Sequence, residues 1–225
     1  MLKMNEIYNM DCLEGMKLLG DGSIDLIVTD PPYKTTSRGS SGGTGGILKE
    51  EINKRGKVFK HNDIEFNEWL PELYRVLKDK GHAYIMTNNK NLKDMLIEIE
   101  NTGFNIFKTL VWAKNSPITN MYYMDSHEYI VFCRKGKAKR INNCGTKSVL
   151  NIDNPRNKLH PTEKPVELME ILINNSSNEC DTVLDPFTGS GSTAIACINT
   201  NRNYIGFELD KNYYDIAIKR ISELN

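Results

Sequence analysis

The stretch that decides the fold runs from Asp181 to Thr193 and reads DTVLDPFTGSGST. It begins with a short apolar run typical of a buried strand, and the apolar residues that follow it are typical of a helix. Between these two parts, Gly189 and Gly191 permit tight backbone geometry and the close approach of a ligand. Ser192 or Thr193 suits the N-cap of the helix. The stretch therefore predicts a strand, a glycine-bearing turn and a helix.

This glycine turn differs from two familiar nucleotide-binding turns. The third glycine of the dinucleotide fingerprint G-x-G-x-x-G is missing, and no lysine follows the turn as it does in a P-loop. An acid, Asp185, and an aromatic residue, Phe187, precede the glycines instead. A turn without a basic residue fits a ligand that lacks phosphates. A loop that merely needs tight turns is the alternative.

A second apolar strand follows and ends in acids. It begins near Asn203, and Glu208 lies 19 positions beyond Gly189. In nucleotide-binding α/β units, an acid about 20 residues past the glycine turn accepts hydrogen bonds from ribose hydroxyls. We therefore expect Glu208, with Leu209 beside it, to hold the ribose of a nucleotide-like ligand.

A second motif, Asp30-Pro31-Pro32-Tyr33, directly follows the apolar run Ile24–Thr29. Each proline fixes its own φ and removes a backbone N–H, so the carbonyl oxygens of Asp30 and Pro31 are held outward beside a carboxylate and a ring. Such a platform suits a flat substrate with an NH₂ group, because the ring stacks on it and the oxygens accept its two hydrogens. A rigid turn with a packed tyrosine is the alternative.

With both motifs on one short chain, the sequence resembles the DNA amino-methyltransferases that use S-adenosylmethionine, the N-4/N-6 DNA methylases. Residues 30–33 match the family's catalytic motif, and residues 185–191 match its cofactor loop. Since the catalytic motif comes first, the arrangement is similar to the β group of the family. Residues 8–14 resemble the segment that opens these enzymes, and residues 160–165 resemble the one that leads into the helix before the cofactor strand.

The resemblance assigns catalysis to Asp30, Pro31, Pro32 and Tyr33. Together with the reasoning above, it predicts these cofactor-binding residues: Asp11, Cys12, Asp30, His160, Thr162, Lys164, Asp185, Pro186, Phe187, Gly189, Gly191, Ser192, Thr193, Glu208 and Leu209. By resemblance, Asp11 and Cys12 lie near the adenine of the cofactor. A turn residue for Asp11, a small core residue for Cys12 and a loop brace for His160 remain open alternatives.

The expected reaction joins an electrophilic sulfonium methyl group to a weakly nucleophilic amine. Hydrogen bonds from the amine to the Asp30 carboxylate and the Pro31 carbonyl would favour a more tetrahedral nitrogen, whose lone pair then points at the methyl group. Asp30 would also take up or relay the released proton. The amine cannot be reached inside a duplex, so the base must flip out and stack on Tyr33.

In the family, aspartate at the first motif position mostly accompanies adenine and serine accompanies cytosine. We therefore predict methylation of the 6-amino group of adenine in double-stranded DNA at a short sequence, with the 4-amino group of cytosine as the alternative. A catalytically silent DNA-binding module would show damaged motifs, and none is visible. Methylation of RNA remains open, because basic loops suit either polymer.

Strand alternates with helix along the chain, which predicts an α/β fold with a doubly wound, mostly parallel sheet, the Rossmann-like methyltransferase fold. At 225 residues, a single domain over 1–225 is expected. Ligands of open α/β sheets bind beyond the C-terminal ends of strands, so Asp30, Asp185 and Glu208 should meet at one edge. The predicted helices are 66–79, 90–101, 163–174 and 211–223, and further strands are 81–87, 106–113 and 129–133, with a loop over 114–127.

The net charge is zero but unevenly distributed. Between Arg134 and Lys158, eight basic residues stand against one acid, Asp153. Such a segment is typical of a face that contacts phosphates, with a solvated surface loop as an equal alternative. We predict a basic target-recognition insertion over 114–158, in which the side chains from Met121 to Met124 pack.

A glycine-rich and basic stretch, 34–62, is predicted to be a mobile loop that becomes ordered on nucleic acid. A plain disordered insertion is the alternative.

Five scattered cysteines, an odd number without a Cys-x-x-Cys pair, indicate free thiols and argue against structural zinc. The chain shows neither a run of about 18 apolar residues nor a secretory signal. We therefore expect a cytoplasmic protein of a bacterium or phage with no membrane partner. A homodimer, with Trp112 or Tyr122 in the contact, and a cognate restriction endonuclease remain open as partners.

Overall fold

The structure, a computed structural model, describes residues 2–32, 64–119, 122–155 and 163–224. In this part of the chain, the strands are β1 Glu6–Tyr8, β2 Ile24–Thr29, β3 Leu77–Thr87, β4 Asn105–Ile118, β5 Asp125–Arg134, β6 Val149–Asn151, β7 Thr182–Asp185 and β8 Asn203–Phe207. The helices are α1 Cys12–Lys17, α2 Phe66–Val76, α3 Leu92–Asn101, α4 Val166–Ser176, α5 Ser192–Asn199 and α6 Lys211–Ser222. The predictions that fall outside the described residues concern Tyr33, the loop 34–62, Arg156, Lys158, His160 and Thr162.

The described strands form one sheet in the order β1-β8-β7-β2-β3-β5-β4-β6. All pairings are parallel except those of β5, which runs antiparallel to β3 and β4. The predicted α/β fold with a doubly wound, mostly parallel sheet is thereby confirmed. From β2 the chain continues to β3 on one side, and from β7 it continues to β8 on the other. The strand order therefore reverses between β2 and β7, which is where such sheets open a crevice for ligands.

Helices cover both faces of this sheet. α1, α2 and α3 contribute to one buried cluster, which includes Trp69, and α4, α5 and α6 contribute to a second, which includes Leu172. The strands feed both clusters because successive side chains point to opposite faces: Ile27 belongs to the first and Val28 to the second. Among the described helices, none is long and apolar enough to cross a membrane.

Helix α2 ends at Val76, earlier than the predicted 66–79, and β3 begins directly at Leu77. The ammonium group of Lys135 donates to the carbonyl oxygens of Tyr74 at 2.6 Å and of Leu77 at 2.8 Å. A cation at this position satisfies carbonyls that the last turn of a helix leaves without partners. The residue that closes the helix comes from a distant part of the chain, so the local sequence does not reveal it.

The predicted loop over 114–127 is wrong in its extent. β4 continues to Ile118 and β5 begins at Asp125, so the two strands form a hairpin. The expectation that its tip packs is also wrong, because the side chains of Tyr122 and Tyr123 are 86% and 90% exposed.

Trp112 does not lie in a surface contact. It is fully buried, and its indole N–H donates to the carbonyl of Ile152 at 2.8 Å. Its predicted place in a dimer interface is therefore wrong, because the side chain belongs to the second core cluster of the chain itself.

The basic segment begins at the edge of the sheet opposite Asp30. Since β5 is antiparallel, Arg134 pairs with His82 near the start of β3 rather than with the end of that strand. The chain then passes His82, whose Nε2 lies 3.0 Å from the carbonyl of Lys139, and reaches the C-terminal end of α4 at Asn142. The first part of the basic segment, from Arg134 to Asn142, therefore lies away from the ligand edge.

Gly15 in α1 packs on the buried ring of Phe207. A Cβ atom there would lie 2.7 Å from Cζ of that ring. We expect Gly15→Ala to lower the free energy of unfolding by about 1–3 kcal/mol, because overpacking strain exceeds the gain in helix propensity. The control is Gly20→Ala, where nothing lies within 4 Å, and its change should stay below about 0.5 kcal/mol. Urea titrations followed by circular dichroism measure both variants, and equal stabilities would contradict this packing.

Candidate active site

Three predicted acids meet where the strand order reverses. Asp185 ends β7, Asp30 directly follows β2, and Glu208 directly follows β8, the other neighbour of β7. The hydroxyl of Thr29 donates to Oδ1 of Asp185 at 2.8 Å, which ties the ends of β2 and β7 together. The prediction that these acids converge on one edge of the sheet is confirmed.

Asp185 braces the glycine turn from inside. Its Oδ1 also accepts from the backbone N–H of Phe187 at 3.2 Å, and its Oδ2 accepts from the hydroxyl of Thr193 at 2.6 Å. Burial raises the pKa of Asp185 to about 6, against the hydrogen bonds from Thr193 and Thr29, which lower it. Both carboxylate oxygens are engaged within the protein, so Asp185 shapes the turn around it.

The glycine turn adopts backbone conformations that suit glycine. Gly189 has a φ of 55° and Gly191 a φ of 85°, in the left-handed region that other residues rarely occupy. The N-cap of α5 is Gly191, so the prediction of Ser192 or Thr193 as the cap is wrong. The reason is that both hydroxyls bind elsewhere: that of Ser192 donates to the carbonyl of Lys164 at 2.8 Å, and that of Thr193 donates to the acid at the end of β7.

Glu208 lies over the glycine turn, at the place its spacing predicts. Its Oε2 accepts from the backbone N–H of Gly189 and its Oε1 from that of Asp210, both at 2.8 Å. Burial raises the pKa of Glu208 to about 7. Each carboxylate oxygen has a second lone pair, so the group can still accept from a pair of ligand hydroxyls. Leu209 beside it is exposed. The amide of Asn9, which we did not predict, donates to the carbonyls of both residues.

The side chains of Asp11 and Cys12 both stabilise helix α1. Oδ1 of Asp11 accepts from the backbone N–H of Leu13 at 2.8 Å and of Glu14 at 3.2 Å, which makes Asp11 the N-cap. Cys12 is buried in the first core cluster, and this burial raises the pKa of its thiol to about 12. Asp11 therefore acts as a turn residue and Cys12 as a small core residue, which were the alternatives to contact with adenine. Both residues nevertheless lie at the ligand edge of the sheet, just after β1.

The apolar part of the turn faces α2. The ring of Phe187 meets that of Trp69 edge to face, with centroids 5.3 Å apart and planes at 82°. Phe187 remains partly exposed, whereas Pro186 is buried. Part of the Phe187 ring therefore stays accessible beside the glycine turn, and Trp69 holds the ring in place.

Asp30 has one committed oxygen and one open oxygen. Its Oδ2 forms an ion pair with the ammonium of Lys164, whereas its buried Oδ1 has no hydrogen-bond partner among the residues that the structure describes. Burial raises the pKa of Asp30; the positive charge of Lys164 opposes this shift, and the negative charge of Glu128 adds to it. Pro31 is buried and Pro32 is partly exposed, so the backbone beyond the carboxylate is held against the protein.

The ion pair extends into a network that the sequence did not reveal. The Lys164 ammonium also lies 3.5 Å from Oε2 of Glu128, and the ammonium of Lys114 pairs with Oε1 of Glu128. Lys164 itself was predicted as a cofactor ligand, and the structure places it on Asp30. Glu128 lies on β5 and Lys114, which was predicted at the start of the loop 114–127, lies on β4. No local motif marks either residue.

The segment before α4 is docked on the glycine turn. Oε2 of Glu163 accepts from the hydroxyl of Ser190 at 3.3 Å, and its Oε1 lies 3.4 Å from the guanidinium of Arg220. Arg220 also donates to the carbonyl of Ser190 at 2.6 Å. These contacts join the motif around residues 160–165 to the predicted cofactor loop.

Comparisons with known proteins agree with this geometry. Residues 24–219 match the profile of the N6_N4_Mtase family, described as DNA methylase. The type II methyltransferase M.HinfI of Haemophilus influenzae is 31% identical over 98% of this chain and 69% of its own length. The type II methyltransferase M2.MboI of Moraxella bovis is 30% identical over 97% of this chain and 88% of its own length.

A solved structure matches as well. The crystal structure of the M1.HpyAVI–SAM complex superimposes with a TM-score of 0.73 at 28% identity, over 96% of this chain and 98% of that chain. Because the profile covers most of the sequence and both motifs lie at the same crevice, this chain belongs to the N6/N4 family of DNA methylases.

Proposed function

We propose that this chain transfers a methyl group from S-adenosylmethionine to the 6-amino group of adenine in a short, specific sequence of double-stranded DNA, as a β-group enzyme. Family membership supports DNA amino-methylation. The observation that carries the proposal is the open oxygen of Asp30: its buried carboxylate Oδ1 has no hydrogen-bond partner in the described part of the chain and lies next to the glycine turn. A buried acceptor without a partner is costly, and an incoming amine would satisfy it.

The crevice fits the cofactor that the family uses. Glu208 has free lone pairs beside Gly189 for the ribose hydroxyls, and the left-handed turn at Gly189 and Gly191 lets a ligand approach the backbone closely. Phe187 offers an apolar wall beside the turn. The solved relative M1.HpyAVI was crystallised with SAM. We assign the ribose of the cofactor to Glu208, and the part of the cofactor next to the ribose to the glycine turn.

The residues of this chain would activate and orient the acceptor amine. When bound, the cofactor supplies an electrophilic methyl group on sulfur. Oδ1 of Asp30 and the carbonyl of Pro31 accept the two hydrogens of the amine, which makes its nitrogen more tetrahedral and turns the lone pair toward the methyl group. Asp30 is within hydrogen-bond reach of the same nitrogen and takes up the proton that is released. Tyr33 is assigned the stacking of the flipped base.

Adenine is favoured over cytosine by the residue type at position 30. The family resemblance associates aspartate at this position mostly with adenine, and this chain carries Asp30. The 4-amino group of cytosine remains the second candidate, because its amine presents the same two hydrogens to the same acceptors.

Target recognition is assigned to the hairpin between β4 and β5. Its tip carries Tyr122 and Tyr123, whose side chains are largely exposed, and the hairpin rises from the edge of the sheet at which Asp30 lies. Aromatic rings suit contacts with bases. The type II methyltransferases among the relatives support a restriction–modification role with a cognate endonuclease, and a homodimer stays a proposal for the assembly.

Asp30→Asn should abolish methylation while the protein stays folded. The amide can neither take up the proton nor keep its charge, so we expect the rate of methyl transfer to fall by about 10³-fold. Incorporation of a radioactive methyl group into DNA measures the rate, and thermal melting checks the fold. The matched control is Asp215→Asn, in an exposed ion pair with Lys211, and it should keep full activity. An active Asp30→Asn variant would sink the proposed role.

The methylated base can be identified directly. DNA methylated by the protein and digested to nucleosides should contain 6-methyladenine, as measured by mass spectrometry. Appearance of 4-methylcytosine without 6-methyladenine would replace the first candidate by the second. A parallel reaction with RNA should show no methyl transfer, and transfer to RNA alone would overturn the choice of substrate.

Affinity for the cofactor should depend on the ionisation of Glu208. Burial raises the pKa of this group to about 7, so it is largely protonated below that pH in the free protein. The ionised carboxylate is the better acceptor for ribose hydroxyls, so affinity for S-adenosylmethionine should rise from about pH 6 to 7.5. Glu208→Gln should bind more weakly and lack this rise, whereas the exposed Glu223→Gln should retain it. Calorimetric titrations at each pH measure this, and parallel curves for Glu208→Gln and wild type would refute it.

A further inference from the structure

Four charged side chains alternate in sign across the ligand edge of the sheet. They run from Asp30 to Lys164, then to Glu128 and finally to Lys114. Each is mostly buried, with 17%, 5%, 17% and 14% of the side chain exposed in that order. Two acids and two bases cancel each other's charge, which is the arrangement that allows charges to leave water together.

The four residues come from separate parts of the fold. Asp30 follows β2, Lys164 precedes α4, Glu128 lies on β5 and Lys114 on β4. The backbone of Lys164 is fixed, because its carbonyl accepts a hydrogen bond from Ser192 at 2.8 Å. The ammonium of this lysine therefore sits between two carboxylates, in direct contact with one and 3.5 Å from the other.

We propose that Glu128 is a positioning residue for methyl transfer: it shares the Lys164 ammonium with Asp30 and thereby makes the open oxygen of ionised Asp30 a stronger acceptor for the substrate amine. This inference rests on the proposed function, in which Asp30 accepts the amine hydrogens. A lysine paired with Asp30 alone would keep that carboxylate ionised but would draw electron density from it and weaken its open oxygen as an acceptor. Because the Lys164 ammonium also interacts with the Glu128 carboxylate, its interaction with Asp30 is weaker.

Lys114 completes the arrangement from the far side. Burial alone would raise the pKa of Glu128, but the charges of Lys164 and Lys114 outweigh it and leave the pKa below its usual value. Glu128 is therefore held as an anion in front of Lys164. Lys114 also lies over the ring of Trp112, 4.7 Å from its centroid, which fixes its position on β4.

Two substitutions should move the pH dependence of methyl transfer in opposite directions. Glu128→Gln removes a negative charge near Asp30, so the acid limb of the single-turnover rate should shift to lower pH while the plateau rate falls about tenfold. Lys164→Gln removes a positive charge, so the same limb should shift to higher pH by about one unit. Asp185, the other acid near Asp30, is unchanged in both variants.

The exposed Glu223→Gln, which ends a surface ion pair with Lys219, is the matched control and should leave the profile unchanged. Affinity of Glu128→Gln for S-adenosylmethionine should stay within about twofold of wild type, because Glu208 and the glycine turn, to which we assign the cofactor, are unchanged. If this variant does not fold, as judged by melting, Lys114→Gln serves instead. It removes a positive charge farther from Asp30, and its acid limb should shift to higher pH by less than that of Lys164→Gln.

The outcomes separate the inference from the proposed function. An acid limb that stays in place or moves to higher pH in Glu128→Gln overturns the inference, as does an unchanged plateau rate. A rate that falls equally at every pH also overturns it, because that is the signature of a merely structural role. If the wild-type protein fails to methylate DNA, or Asp30→Asn remains active, the proposed function itself fails.

Discussion

The site depends on one buried hydrogen bond between two parallel strands. The hydroxyl of Thr29 at the end of β2 donates to Asp185 at the end of β7, across the point where the strand order reverses. A buried carboxylate is tolerated only when its oxygens are satisfied, and Asp185 is satisfied by donors from β2, the turn and α5. This contact sets the distance between the two motifs, because Asp30 follows Thr29 directly and the glycine turn follows Asp185.

Around this contact, several carboxylates lie at one edge of the sheet, and burial shifts the pKa values of two of them toward neutral pH. The pKa of Asp185 is raised to about 6 and that of Glu208 to about 7, both chiefly by burial. Asp30 and Glu128 both lie beside the buried ammonium of Lys164, whose positive charge favours their ionised forms. The carboxylates also differ in their contacts within the protein: Asp185 shapes the turn, whereas Glu208 lies over it.

The reversed strand β5 has two consequences that a wholly parallel sheet would not produce. It brings Glu128, near its beginning, to the ligand edge, where this acid meets Lys164. It also carries the chain away, so that Arg134 and the basic residues after it begin at the opposite edge. The basic segment that was predicted as a face for phosphate contacts therefore starts at the opposite edge of the sheet. The hairpin formed by β4 and β5 lies beside the site instead.

The sequence by itself determined the alternation of strand and helix, the glycine turn and the positions of Asp30 and Glu208 at strand ends. These features are local, since motif spacing and apolar runs act within one strand–turn–helix unit. Only the tertiary structure decided where α2 ends, that Trp112 is buried, and that Lys164 and Glu128 share a site with Asp30. Each of these depends on pairing between distant segments, above all on the antiparallel placement of β5. Strand order and direction follow from the packing of the whole sheet, and no short stretch of residues encodes them.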